Sequence, residues 1–392
     1  MTTKPLNDRA AGCLAGAAVG DALGGSTEGW ESREIVDHYG GFVDGIVPSI
    51  RRMKGIEKLF SPFHKGDGHV TDDTLMTRAL VNVYAQKRDH LDAFDVESKL
   101  VPQLIEERVW VPELNRDEIL YHRLFLAEKW LVLKLKYGHA DPREAGNGNI
   151  VNCGAAMYIA PVGLANAGDP VGAYAEALEI SGAHQSSYGR EAAAVLAAAV
   201  AEAVRPGATV ESVVAVCLQL GHDGTRAAIA AVVDAAAHVS GWEAAIAALR
   251  EAFAPFDSVG ERYAEPGLGA RIPSRLHSIE ELPVALGFLV ATNGDFEETV
   301  LGSVNYGRDS DSIASMGGAL AGALGGRAGL RRDWVEQVAE ASRLDLEQPG
   351  HVMASVATEI SARDSARHAE RARAMDDLTA APQEIPDRKS VV

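Results

Sequence analysis

Apolar positions in this chain recur at helical spacing along most of its length. Residues 9–24, RAAGCLAGAAVGDALG, are a run of small and apolar residues that reads as a helix ending near glycine. From Asp72 the pattern DDTLMTRALVNVYAQ puts Leu75, Ala79, Leu80 and Val83 on one face, with Thr71 placed as an N-cap. Residues 118–137, EILYHRLFLAEKWLVLKLKY, read as another amphipathic helix. Further helical runs are expected at 155–166, 170–181, 189–204, 209–219, 224–238, 242–253, 279–292, 295–304 and 312–324. Strict apolar–polar alternation never lasts beyond a few residues, so strands are expected to be almost absent. The pattern predicts an all-α fold.

Three stretches break the helical rhythm: 40–69, the glycine- and asparagine-rich 138–154, and 254–278. Long irregular segments are uncommon in a compact domain and often border a site. From about Arg363 the chain is charged and poor in apolar residues, as in a frayed helix or a mobile tail. No repeat of fixed period is visible. The expected organisation is one helical domain over 1–345, followed by a C-terminal helix and charged tail over 346–392.

Composition narrows the function classes. Of 392 residues, 47% are hydrophobic but only 6% aromatic, so alanine and glycine carry much of the core and helices are expected to pack with close backbones. The net charge of -18 disfavours nucleic acid and anionic membrane surfaces, which need clustered Lys and Arg. The longest small-apolar run, Ile313 to Gly326, is shorter than the roughly 20 residues of a bilayer span and reads as a buried core helix. Cys13, Cys153 and Cys217 are odd in number and far apart, which fits a reducing cytoplasm. The opening residues, MTTKPLNDRAAG, lack the apolar run of a signal peptide.

Two short segments carry the chemistry. His69-Val70-Thr71-Asp72-Asp73-Thr74 opens one helix, and Asn305-Tyr306-Gly307-Arg308-Asp309-Ser310-Asp311-Ser312 opens another. Either acid pair alone could simply cap its helix. Together they present four carboxylates, costly to bury without a counter-charge. A helix N-terminus offers only about 0.3–1 kcal/mol. Divalent cations would suffice, and ligands that are all oxygen favour magnesium or manganese over zinc. Asp21 and Glu28 add carboxylates at the end of the first helix, and Glu28 sits on a loop from which an acid could reach a metal-bound water. The small residues of Asn152-Cys153-Gly154-Ala155-Ala156-Met157 would let a ligand approach the backbone, and His184 could hydrogen-bond a phosphate or hydroxyl.

These segments resemble the ADP-ribosylglycohydrolase family. GCLAGAAVGDALGGSTE is similar to the family's opening segment and VTDDTLMTRAL to its first metal motif. NCGAAMYIAPVG resembles its glycine-asparagine loop, SGAHQSS its histidine segment, and NYGRDSDSIASMGGALAGAL its second metal motif. The resemblance runs in order from about residue 9 to 326.

It implies an orthogonal multi-helix bundle around a cleft with two magnesium ions, manganese being possible. Thr71, Asp72, Asp73, Asp309, Asp311 and Ser312 would be the ligands, with Glu28 the acid or base and Asp311 at the reacting centre. Asn152, Gly154, Ala155, Met157 and His184 match positions lining an ADP-ribose groove. Tyr158 and Arg308, where relatives commonly have arginine and glycine, mark further candidate substrate contacts, and Ser312 replaces the usual threonine. Residues 105–150 look like an insertion that reshapes the cleft.

The activity implied is hydrolysis of a ribosyl bond through an oxocarbenium-like transition state, releasing ADP-ribose from a protein side chain or small acceptor. Hydrolysis of a nucleoside or nicotinamide-type dinucleotide, and a non-catalytic ribosyl-binding role, are the alternatives.

Overall fold

The computed structural model describes residues 5–49, 66–112, 115–257 and 278–380. Parts of the expected irregular stretches (50–65 and 258–277) and the end of the charged tail (381–392) lie outside the described residues.

The described elements in chain order are as follows. The first set is α1 (Pro5–Gly24), α2 (Ser32–Tyr39), α3 (Asp72–Lys87), the short α4 (Ala93–Asp95) continued by a π turn, and α5 (Val101–Glu106). A hairpin follows, with β1 (Arg108–Val111) antiparallel to β2 (Arg116–Ile119) and Val109 opposite Glu118. Next come α6 (Leu126–Val132), α7 (Ala160–Ala165), α8 (Pro170–Ser181), α9 (Ser187–Ala203), α10 (Val210–Leu220), α11 (Asp223–Ala236) and α12 (Trp242–Phe253). The last are α13 (Glu281–Ala291), α14 (Phe296–Tyr306), α15 (Ser310–Gly325), α16 (Arg332–Ser342) and α17 (Gln348–Thr379). The fold is all-α with one small two-stranded sheet among the described residues.

At its centre α1 and α15 lie antiparallel with their backbones in contact. Gly12, Gly16, Gly20 and Gly24 recur every fourth residue, so they share one face of α1. A methyl group added to Gly16 would stand 2.4 Å from the Gly318 carbonyl oxygen, and one on Gly12 would stand 2.4 Å from that of Gly322. Only glycine permits this approach. The run at 313–326 is thus the core helix its sequence suggests, and no described helix is long and apolar enough to cross a membrane.

Several expectations change. The helix expected over 118–137 is broken into β2, a 3-10 turn (Leu120–Arg123), α6 and a π turn (Leu133–Tyr137). The run at 155–166 likewise splits into a 3-10 turn (Cys153–Ala155) and the shorter α7. Beyond Arg363 the chain remains helical to Thr379. The first half of α17 is packed into the body, with Met353, Val356 and Ile360 buried, whereas its side chains from Glu370 onward are exposed.

Candidate functional site

The α1–α15 pairing sets the end of one helix beside the start of the other. Asp21, fully buried near the end of α1, accepts hydrogen bonds from the backbone N–H of Thr71 (2.9 Å) and of Thr74 (3.1 Å). The Thr71 hydroxyl donates to it at 2.6 Å, and the Thr74 hydroxyl also donates. Asp21 therefore caps α3 from outside, satisfying N–H groups that the helix leaves unpaired. Burial pushes its carboxyl up to about 6, against the pull of the threonine bonds and with help from the negative charge of Asp311.

Glu28 rides on the turn after α1, and that turn is tied to the segment before α15. Gly29 N–H donates to the Arg308 carbonyl and Arg308 N–H to the Trp30 carbonyl, both at 2.7 Å. Gly307 has φ +80°, and a side chain there would meet the Trp30 carbonyl at 2.0 Å, so this position requires glycine. The Thr27 hydroxyl donates to the Val304 carbonyl at 2.8 Å, while the Ser310 hydroxyl donates to the Gly24 carbonyl at 2.9 Å.

The result is a set of converging carboxylates. Asp21, Asp73 and Asp311 each offer an oxygen within 4.8 Å of the others, and so do Glu28, Asp309 and Asp311. Asp311 belongs to both sets. Burial pushes the Asp309 carboxyl well above the usual range, and the charges of Asp311, Glu281 and Glu28 push it the same way. These acids repel one another, and the donor sets contain only oxygen. Both properties suit a hard divalent cation. The Thr71 hydroxyl lies 3.3 Å from Asp73 Oδ2, and Ser312 follows Asp311 at the start of α15.

Not every residue expected from sequence joins these sets. Asp72 belongs to neither, and its Oδ2 accepts from Phe125 N–H at 2.9 Å, anchoring the start of α6. Asn152 caps the 3-10 turn by accepting from Gly154 N–H (3.0 Å) and from Gln185 Nε2 (2.8 Å). Gly154 allows close approach of Glu128, whose Oε1 would sit 2.6 Å from any added methyl. Ala155 and Met157 are buried. Tyr158 and His184 are buried too, with the Tyr158 hydroxyl 3.1 Å from His184 Nδ1 and His184 Nε2 3.3 Å from Glu128 Oε1. They form a polar knot beneath the turn that carries Cys153. The Arg308 guanidinium is engaged by Glu31 (3.1 Å), Asp257 (2.7 Å) and Glu280 (3.0 Å), and this company holds it fully charged.

Sequence reasoning noted Asp21 and Cys153 without making either a metal ligand and passed over Glu281 and Glu128. The available signal was an acid at the start of an apolar helical run for Glu281, ELPVALGFL, and an acid beside Lys129 among apolar residues for Glu128, FLAEKWLVL.

A helical body that clusters carboxylates at helix ends presents acidic sets that could hold metal. The chain belongs to the ADP-ribosylglycohydrolase family, whose family model matches residues 2–369, and it is an enzyme of that hydrolase class. It is 26% identical over 350 residues to the ADP-ribosylarginine hydrolase Tri1 of Pseudomonas putida, covering 86% of this chain and 76% of that protein. It is 33% identical over 170 residues to the ADP-ribosyl-[dinitrogen reductase] glycohydrolase of Rhodospirillum rubrum, covering 43% of this chain and 49% of the relative. The uncharacterized protein YegU of Escherichia coli is 25% identical over 321 residues, 81% of this chain and 88% of YegU. A solved structure described as an ADP-ribosylglycohydrolase-related protein complex shares the fold, with TM-score 0.58 and 21% identity over 92% of this chain and all of that one.

Proposed function

We propose that this enzyme uses two magnesium ions to hydrolyse the ribosyl bond that joins ADP-ribose to a modified side chain, with arginine as the favoured acceptor. The observation that carries the proposal is that two oxygen-only carboxylate sets share one member, Asp311. One ion would be held by Asp21, Asp73 and Asp311, the other by Glu28, Asp309 and Asp311, with the Thr71 and Ser312 hydroxyls alongside. Manganese suits the same ligands. An arginine acceptor is supported by the name of one relative, an ADP-ribosylarginine hydrolase, and a protein-borne acceptor by that of another, a dinitrogen reductase glycohydrolase.

Ions held there would supply Lewis acidity toward the ribose hydroxyls and a water. The chain's own groups do the rest. Asp311 fixes the spacing of the two positions. Glu28, half-buried on its pinned turn, is placed to take a proton from the attacking water as the anomeric centre gains positive charge. Three buried cysteines without disulfides suit a reducing compartment, and we place the enzyme in the cytoplasm.

The test is release of ADP-ribose from an ADP-ribosylated arginine peptide with magnesium, with chelator, and against free nucleosides and dinucleotides. Magnesium-dependent release from the peptide is the expected result. Turnover of nucleosides or dinucleotides alone would reassign the substrate, and turnover undiminished by chelator would remove the metals.

A further inference from the structure

A third acidic group lies beside the two already described. Cys153 on its 3-10 turn, Glu281 at the start of α13 and Asp309 before α15 each bring one ligand atom within 4.8 Å of the other two. The Cys153 thiol donates to Asp309 Oδ2 at 3.0 Å and lies 3.4 Å from the Ser312 hydroxyl. The cluster alone would say little. An independent observation gives it direction: Glu281 is only 9% exposed, and its buried Oε2 finds no N–H donor, the Glu281 carboxyl facing that of Asp309 instead. Burying an acceptor oxygen unpaired is costly, and a cation is the partner that would satisfy it next to a second carboxylate.

The donor chemistry sets this position apart from its neighbours. The sets around Asp311 contain only oxygen, whereas this one contains sulfur. A thiolate with two carboxylates is poorly matched to magnesium and well matched to zinc. Zinc bonds of about 2.3 Å to sulfur and about 2.0–2.2 Å to oxygen bring tetrahedral donors to about 3.5 Å from one another, within reach of small side-chain adjustments here. Three protein ligands leave a fourth position open.

We propose that Cys153, Glu281 and Asp309 form a binding position for a thiophilic divalent cation of the zinc class, sharing Asp309 with the hard-cation centre. On binding, the thiol proton leaves to solvent and sulfur becomes an anionic ligand. Because Asp309 also belongs to the set with Glu28 and Asp311, occupancy draws that carboxylate away, and zinc acts as an antagonist of magnesium.

The test is spectroscopic and uses the full chain without added magnesium, which would compete for Asp309. Titration with cobalt(II) is expected to produce a thiolate-to-metal charge-transfer band that saturates at one equivalent and is bleached by zinc. Cys153→Ser is expected to abolish the band. Glu281→Gln, nearly isosteric, is expected to keep the band but weaken cobalt affinity at least tenfold, with circular dichroism confirming that both variants are folded. No band in the unaltered protein, or an equal band in folded Cys153→Ser, overturns the proposal. ADP-ribosyl hydrolysis with magnesium alone is read on the same preparations. A missing band with hydrolysis intact refutes only the zinc position, and a band without hydrolysis refutes only the proposed activity.

Discussion

Gly20 and Ala314 touch through their backbones: a methyl group on Gly20 would stand 2.0 Å from the Ala314 carbonyl oxygen. One residue further on in α1 lies Asp21, and three residues before Ala314 lies Asp311, so this contact sets the spacing of the acids. Gly20→Ala should force the helices apart. Overpacking of this kind costs about 1–3 kcal/mol, and magnesium affinity should fall with it. Gly41→Ala is the control, since nothing lies within 4 Å of that position, and it should stay within about 0.5 kcal/mol of the parent. Urea denaturation reads both. Equal stability of the two variants would dismiss the close contact.

Asp311 serves both carboxylate sets, so Asp311→Asn should lower turnover at least about a hundredfold. Stability should move the other way when no metal is present. The charge of Asp311 raises the pKa values of both Asp21 and Asp309, so removing it relieves repulsion. Thermal melts in chelator should show the variant at or above the parent. Retained turnover, or a marked fall in metal-free melting temperature, would contradict this assignment.

Arg308 is surrounded by Glu31, Asp257 and Glu280, the last two well buried. Arg308→Gly would remove a cation from Asp257 and leave Glu31 and Glu280 with Arg250, at a cost of about 1–3 kcal/mol. The relevant comparison is kinetic. Well below the melting temperature, a bracing residue leaves KM close to its original value, whereas a residue contacting substrate raises it. A raised KM in a fully folded variant would restore the substrate-contact role suggested by sequence.

His90 joins the body to the C-terminal helix. Its Nδ1 lies 2.5 Å from Glu176 and its Nε2 3.0 Å from Asp364 on α17. The Glu176 hydrogen bond raises its pKa to about 9, against the opposing effect of burial. A histidine whose pKa is higher folded than unfolded contributes fully below the unfolded value of about 6.5 and loses that contribution as pH rises through the folded one. Melting temperature should therefore decline between about pH 6.5 and 9, and His90→Gln should flatten that decline. A decline of unchanged slope in the variant would clear His90 of this role.

How much of this was legible in the sequence depends on how local each signal is. Helix α12 was expected over the residues it occupies, because Trp242, Ala245, Leu249 and Phe253 repeat on one buried face. The two aspartate motifs were visible because their acids are adjacent and open helices. Glu281 was not, since only packing brings α13 next to α15. The break at 116–126 was hidden for a related reason. Residues 116–119 pair with 108–111, and the helix after them starts where Asp72, distant in the chain, accepts the Phe125 N–H. Tyr158 and His184 illustrate the reverse case, with residue types suited to a ligand but positions buried in a polar knot.

The antiparallel contact of α1 with α15 also has a temporal side. Asp21 and Glu28 leave the ribosome well before Asp309 and Asp311. During synthesis the first helix waits with its glycine face exposed, and no nascent fragment that stops short of the second aspartate motif can assemble both carboxylate sets. Closing so long a loop slows maturation, and it ties the appearance of activity to synthesis of the second aspartate motif.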